Sequence, residues 1–224
     1  SARWDRYKLN LNWSIVNRDD WENARLLRMI NRRINLSIPS IPEYGAFNSL
    51  FSKKAFYFES RESIFKFVVH RGFHRPRDVL QFSIKIQDEI DRTNSISKST
   101  IPSAEKEYSL WLLSEISNEI AVKINDQDAL HELLRIVGPQ PFSLTEFRLQ
   151  RYKNFESKIG MDAESLLRYL YQFGIVQNRN RLRTHTEFYS IMRNDRSTLN
   201  RELKIQIHPG IWKGLHTSTY SIRR

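Results

Sequence analysis

"GMDAESLLRYLYQFGIVQNRNRLRTHTEFYSIMRN", residues 160–194, changes its periodicity halfway along. The first half is helical. Asp162 can cap it, Ser165 falls in its first turns, and Leu166, Leu167, Leu170 and Phe173 mark the core-facing side, with Gly174 placed to end it. The second half reads as two strands around a polar turn.

The neighbouring segments extend this pattern. "DQDALHELLRIVG" (126–138) reads as a helix closed by Gly138. "PQPFSLTEFRLQRYKNF" (139–155) gives a turn and then a helix capped by Ser143 or Thr145. Downstream, "LKIQIHPGIWKGL" (203–215) is a strand entering a short helix. Three short helices followed by a β-hairpin is the order of a winged helix-turn-helix, which predicts a winged-helix domain over 126–224.

Residues 1–125 carry longer helical patterns. In "DDWENARLLRMINRRI" (19–34), Trp21, Ala24, Leu27, Ile30 and Ile34 recur at helical spacing after Asp19 or Asp20 as cap. "NLSIPSIPEYGAFNSLF" (35–51) reads as a loop. "SRESIFKFVVHR" (60–71) reads as a helix capped by Ser60, with Glu62 in its first turn. Pro76 suits the first turn of the next helix, where its missing N–H costs nothing, and Val79, Phe82, Ile86 and Ile90 share one face. A longer helix begins near Pro102 and buries Tyr108, Leu112, Ile116 and Ile120. The expected fold is mainly α: a helical, lid-like bundle over 1–125 followed by the winged helix.

Charge is unevenly spread along the 224 residues, whose net charge is +11. Residues 1–99 hold 18 Lys+Arg against 11 Asp+Glu, residues 100–147 hold 3 against 8, and residues 148–224 hold 15 against 6. A basic last third beyond an acidic waist suits DNA or an acidic protein surface as partner, or equally the solvated faces of a basic protein. Cysteine is absent, which removes disulfides, thiolate zinc sites and cysteine nucleophiles, and fits a reducing cytoplasm. No apolar run approaches the roughly 20 residues that span a bilayer. The chain opens Ser1-Ala2, and a fragment of a longer protein is the expectation.

Enzyme motifs are missing: no Walker A, dinucleotide-binding, H-E-x-x-H or G-x-S-x-G pattern occurs. His70 and His74 stand four apart, but Gly72 and Pro76 interrupt or adjoin that interval and no third ligand is evident, so neither a catalytic nor a metal site is expected. Glu115 and Glu119 on the long helix are expected to face solvent. Two clusters remain. In the winged helix, Glu164, Ser165, Arg168, Tyr169 and Gln172 are left for the outer side of the third helix, and Arg168 and Gln172 are its candidate base contacts, a weak reading set. Arg179, Arg181 and Arg183 alternate, so in an extended strand all three point one way and form a basic comb for phosphates; alternatively, they guard an exposed strand edge. The other cluster is "HRGFHRPRDVLQF" (70–82), where an arginine at a helix start can hold phosphate oxygens in a fork, or where Arg75 and Arg77 simply pair with Asp78, Glu62 or solvent.

A helix bundle with "RPRD" at a helix start, then a long helix, then a winged helix, resembles the C-terminal half of AAA+ and STAND-type P-loop ATPases. "RPRDVLQF", "LYQFGIVQN" and "IHPGIWKGL" look like the tail of prokaryotic P-loop ATPases linked with mobile elements and phage defence. The resemblance implies that Arg77, or else Arg75, senses nucleotide phosphates from a lid helix. It also implies that His208, where the last strand enters a helix, contacts bound ADP, although the usual partner aspartate is replaced by Pro209. ATP or ADP would then sit on an ATPase core upstream in the same polypeptide, and oligomers are possible. The function this implies is regulatory, with the winged helix relaying the nucleotide state. The readings left beside it are a stand-alone winged-helix DNA-binding protein and a protein-interaction scaffold.

Overall fold

The computed structural model describes residues 24–50, 64–95, 97, 99–192 and 196–216. Helix α1 runs Arg25–Ser37 and buries Leu26, Leu27, Ile30 and Asn31. The Asp19 or Asp20 cap and the Ser60 cap lie outside the described residues. The stretch read as loop contains one short helix, α2 (Ala46–Ser49), which Asn31 anchors by accepting from the Phe47 N–H at 2.8 Å. Helix α3 (Ile64–Arg71) buries Ile64, Phe65, Phe67, Val68 and Val69, most of its circumference, which marks it as a central helix rather than a surface one.

Helices α4 (Pro76–Thr93) and α5 (Thr100–Ile120) form an antiparallel pair, since Arg77 meets Glu115 and Phe82 stacks on Tyr108 at 4.8 Å. The predicted stripes are buried over Val79, Phe82 and Ile86 on α4, with Ile90 partly buried at its end, and over Tyr108, Leu112, Ile116 and Ile120 on α5. Each such side chain contributes about 1.5–3 kcal/mol on leaving water.

Beyond a 3₁₀ turn at Ala121–Lys123, α6 (Gln127–Val137) is capped by Asp126 and closed by Gly138 at φ 67, a left-handed angle that glycine takes at no steric cost. Ser143 caps α7 (Leu144–Glu146), and the helix then widens into π turns over Phe147–Tyr152. The wider turn brings residues five apart onto one side. Phe142, Phe147 and Tyr152 stack there in series, with ring centroids 5.5 and 5.2 Å apart. A short α8 (Glu156–Ile159) precedes α9 (Ala163–Gln172), whose Asp162 cap accepts from the Glu164 and Ser165 N–H groups.

The sheet has the order β2-β1-β3, with β1 at Val176–Arg181, β2 at Thr186–Tyr189 and β3 at Lys204–Ile207. All pairings are antiparallel. The last strand therefore returns beside β1, where Phe142 extends its free edge by pairing with Ile205. Val176, Ile205 and Ile207 turn into the core lined by Leu166, Leu167 and Leu170 of α9. The architecture is thus mainly helical with a small three-stranded antiparallel sheet in the order of a winged helix. One apolar cluster runs through residues on both sides of position 125. Polar contacts also cross that position: Tyr169 Oη donates to the Ile120 carbonyl at 3.2 Å, and Ser117 Oγ meets His131 Nε2 at 2.8 Å. Ser117 Oγ donates to the Leu113 carbonyl, so the imidazole N–H is the donor to Ser117, and the pair is a brace between α5 and α6. Among the described residues no helix is long and apolar enough to cross a membrane.

Candidate functional site

The start of α4 is built around a buried carboxylate. Asp78, 1% exposed, accepts from the Phe73 N–H at 2.7 Å and from Arg75 Nε and Nη2 at 3.2 and 3.1 Å. These bonds fold "GFHRPRD" into a tight turn, with His74 at φ 58 and Arg75 as the N-cap residue. Since α3 ends at Arg71, His70 and His74 do not share a helical face. Arg75 also lies over the Phe73 ring at 5.1 Å, so it is committed to the turn. Arg77 is placed differently. It points across to α5, where its Nη2 meets Glu115 Oε2 at 2.5 Å and its guanidinium lies 5.2 Å over the Trp111 ring. Glu62 lies outside the described residues, and Glu115, expected to face solvent, is the partner Arg77 takes instead.

Beneath this turn lies Tyr108, whose buried hydroxyl has no hydrogen-bond partner among the described residues. Burial pushes its pKa well above the ordinary value, the Asp78 charge adds to the shift, and Arg75 opposes it. An unpaired buried hydroxyl costs about 1–3 kcal/mol. Tyr108→Phe is therefore expected to leave the melting temperature unchanged or to raise it, and calorimetry showing a clear drop would mean that the hydroxyl is satisfied in solution.

The segment after β3 folds back over α3 and α5 as a clasp. Its 3₁₀ turn, Pro209–Ile211, is capped by His208, whose Nδ1 accepts from the Gly210 N–H at 3.1 Å. His208 is buried, with its ring 4.9 Å from that of Phe73. It therefore sits where the sheet meets the α3–α4 turn. Gly210 lies directly on the Arg71 carbonyl, and the Gly214 N–H donates to Ser109 Oγ at 2.7 Å. Glu105, 5% exposed, joins both sides: one oxygen takes Arg71 Nε at 2.6 Å and the other takes Lys213 Nζ at 2.6 Å. Lys213 also donates to the Pro102 carbonyl at 3.1 Å.

On the winged helix, α9 presents Arg168 and Gln172 to solvent, while Tyr169, expected outside, is buried with its hydroxyl bonded across to Ile120. Arg168 is neutralised by Glu164 at 2.8 Å, which also takes Arg201 at 2.9 Å. In β1, Arg179 and Arg181 alternate on one face as expected, whereas Arg183 lies past the strand in the bend at its tip. Lys204 joins them from the neighbouring strand, because β3 pairs it directly with Arg179.

The sequence reading found the α4 turn and the wing but missed Glu105, Ser109, Lys213 and Lys204. Its signal on α5 was the apolar stripe, and the polar residues interleaved with Tyr108 and Leu112 read as surface. Glycines four apart in "HPGIWKGL" were the available clue to a close approach.

Residues 24–117 match the family model of the FunZ-associated C-terminal helical domain. The likeness runs from α1 through most of α5, stops before the winged helix, and suggests the C-terminal region of a larger protein. No curated protein and no solved structure matches the chain.

Proposed function

We propose that this chain is the regulatory C-terminal region of a nucleotide-switched P-loop ATPase, in which Arg77 senses nucleotide phosphates and the winged helix relays the state. The observation that carries the reading is the contrast between Arg77 and its neighbours. Arg71 and Arg75 are held by carboxylates that are almost fully buried, whereas Arg77 is 57% exposed and its partner Glu115 is 31% exposed. A surface ion pair of this kind is worth about 1 kcal/mol or less. A phosphate oxygen pair offers the same guanidinium a stronger bidentate partner, so exchange of Glu115 for phosphate is favourable. Trp111 supports the flat face of the guanidinium and keeps it extended from the helix start.

ATP or ADP would be held by a core outside these residues, with Arg77 reaching it from the lid. Movement of α4 and α5 would pass to the winged helix through Glu105, Lys213 and the turn capped by His208. In the intact protein, Arg77→Ala is expected to weaken nucleotide binding by about 10-fold or more, the loss of one charge-assisted hydrogen bond. Isothermal titration with ATP and with ADP measures this, and unchanged affinity and turnover in the variant would remove the reading.

A further inference from the structure

Beyond the nucleotide reading, and independently of it, we infer that the outer face of the small sheet is a binding surface for the phosphodiester backbone of nucleic acid, and that α9 is not its reader. The pairing register sets the residues on this face. Gln177, Arg179 and Arg181 of β1 share it with Phe188 and Thr186 of β2 and with Lys204 and Gln206 of β3. The opposite face carries Val176, Asn178, Ile205 and Ile207 into the core, so the basic row points away from the side that α9 covers.

No carboxylate pairs with Arg179, Arg181, Arg183 or Lys204 among the described residues. Glu187, the acidic residue of the hairpin, pairs in register with Asn180 on the other face, and its oxygens are taken by His185 and Tyr189. Glu202, just before β3, makes no ion pair with the row. The arginines of the α9 side, Arg168 and Arg201, are both spent on Glu164. The α9 side is thus neutralised, whereas the sheet face and the tip beyond it keep unpaired positive charge.

One donor on this face, Arg179 Nε, also has no hydrogen-bond partner. Residues two apart along a strand are separated by about 6.6 Å, comparable with successive phosphates along one nucleic-acid strand, so Arg179 and Arg181 can take neighbouring phosphates while Lys204 widens the row. Phe188 flanks Arg179 on the same face, on the side away from Lys204, and offers a ring beside the backbone track. Charge at this spacing, with no base-reading helix beside it, fits backbone binding without sequence preference.

The test is fluorescence anisotropy of the full chain with a labelled single-stranded oligonucleotide and with its duplex, across a salt series. A variant carrying Arg181→Gln, Arg183→Gln and Lys204→Gln is compared with one carrying Arg168→Gln and Arg201→Gln, both checked for an unaltered melt. The triple variant is expected to lose about tenfold or more in affinity. Its salt dependence should become shallower by about 0.7 per removed charge on the single strand or about 0.9 on the duplex, and the tighter wild-type affinity at matched salt identifies which form is held. The control pair should bind as the native chain does. Equal loss in the control pair would move the contact to α9 and overturn the inference. No binding of either probe at low salt would also overturn it. Competition by polyglutamate as effective as by the oligonucleotide would do the same, assigning the face to an acidic protein.

Discussion

Gly210→Ala is expected to cost about 3 kcal/mol of folding stability, the upper end of what overpacking a filled interior costs. A Cβ at this position would lie 2.0 Å from the Arg71 carbonyl oxygen and 2.9 Å from Leu112 Cδ2. The first of these is backbone at the end of α3 and cannot swing aside, so relief requires the whole clasp to lift from α3 and α5. Lifting it also strains the Gly214–Ser109 hydrogen bond and the Lys213–Glu105 pair four and three residues on. For a chain of this length the loss corresponds to a fall of about 6–12 °C in melting temperature. A variant that melts with the native chain would mean that the clasp is not seated on α3.

Glu105→Ala is the second large effect, about 2–4 kcal/mol. Removing the shared partner leaves Arg71 and Lys213 as two like charges against one another, with only 21% and 23% of their side chains exposed. Breaking a buried ion pair costs about 3–5 kcal/mol, and the residual solvent contact of the two cations brings the expectation somewhat below that. Unlike that of a surface pair, most of this loss should persist at high salt, because partly buried charges are screened much less than exposed ones. Denaturant unfolding at low and high salt measures both points. A cost below about 1 kcal/mol, or one abolished by salt, would show that Glu105 is solvated and not a joint between the two ends of the chain.

Much of the fold was legible because its apolar periodicity agrees with its punctuation. Pro76, Asp126, Ser143, Asp162, Gly138 and Gly174 each stand at the helix end where their backbone chemistry places them, and the stripes of α4 and α5 are the buried ones. What stayed hidden was non-local. Alternation along β1 showed that Arg179 and Arg181 share a face, but only the return of β3 beside β1 adds Lys204, and only the β1–β2 register places Glu187 on the other side.

The same limit applied to the α4 turn. "RPRD" announced arginines at a helix start, and the Arg75–Asp78 pair is short-range enough to be foreseen. The choice of Glu115 by Arg77 depends on the antiparallel packing of α5, which a linear pattern does not encode. The π turn at Phe147–Tyr152 escaped for another reason: its rings stack at a five-residue spacing, which a search for spacings of three and four does not pick out. Tyr169 was left for the outside because Leu166, Leu167, Leu170 and Phe173 filled the core-facing side, whereas its hydroxyl finds its partner 49 residues away at Ile120.

The claim that joins these observations is that the clasp makes the helical bundle and the winged helix one cooperative unit, so that a change at Arg77 can be felt beyond β3. Native-state hydrogen exchange on the Gly210→Ala variant tests it most directly. Amide protection should fall by the same factor in the middle of α5, around Leu112, and in the middle of α9, around Leu167. Protection that falls only in the Pro209–Leu215 segment, with α5 and α9 exchanging as they do in the native chain, would contradict it.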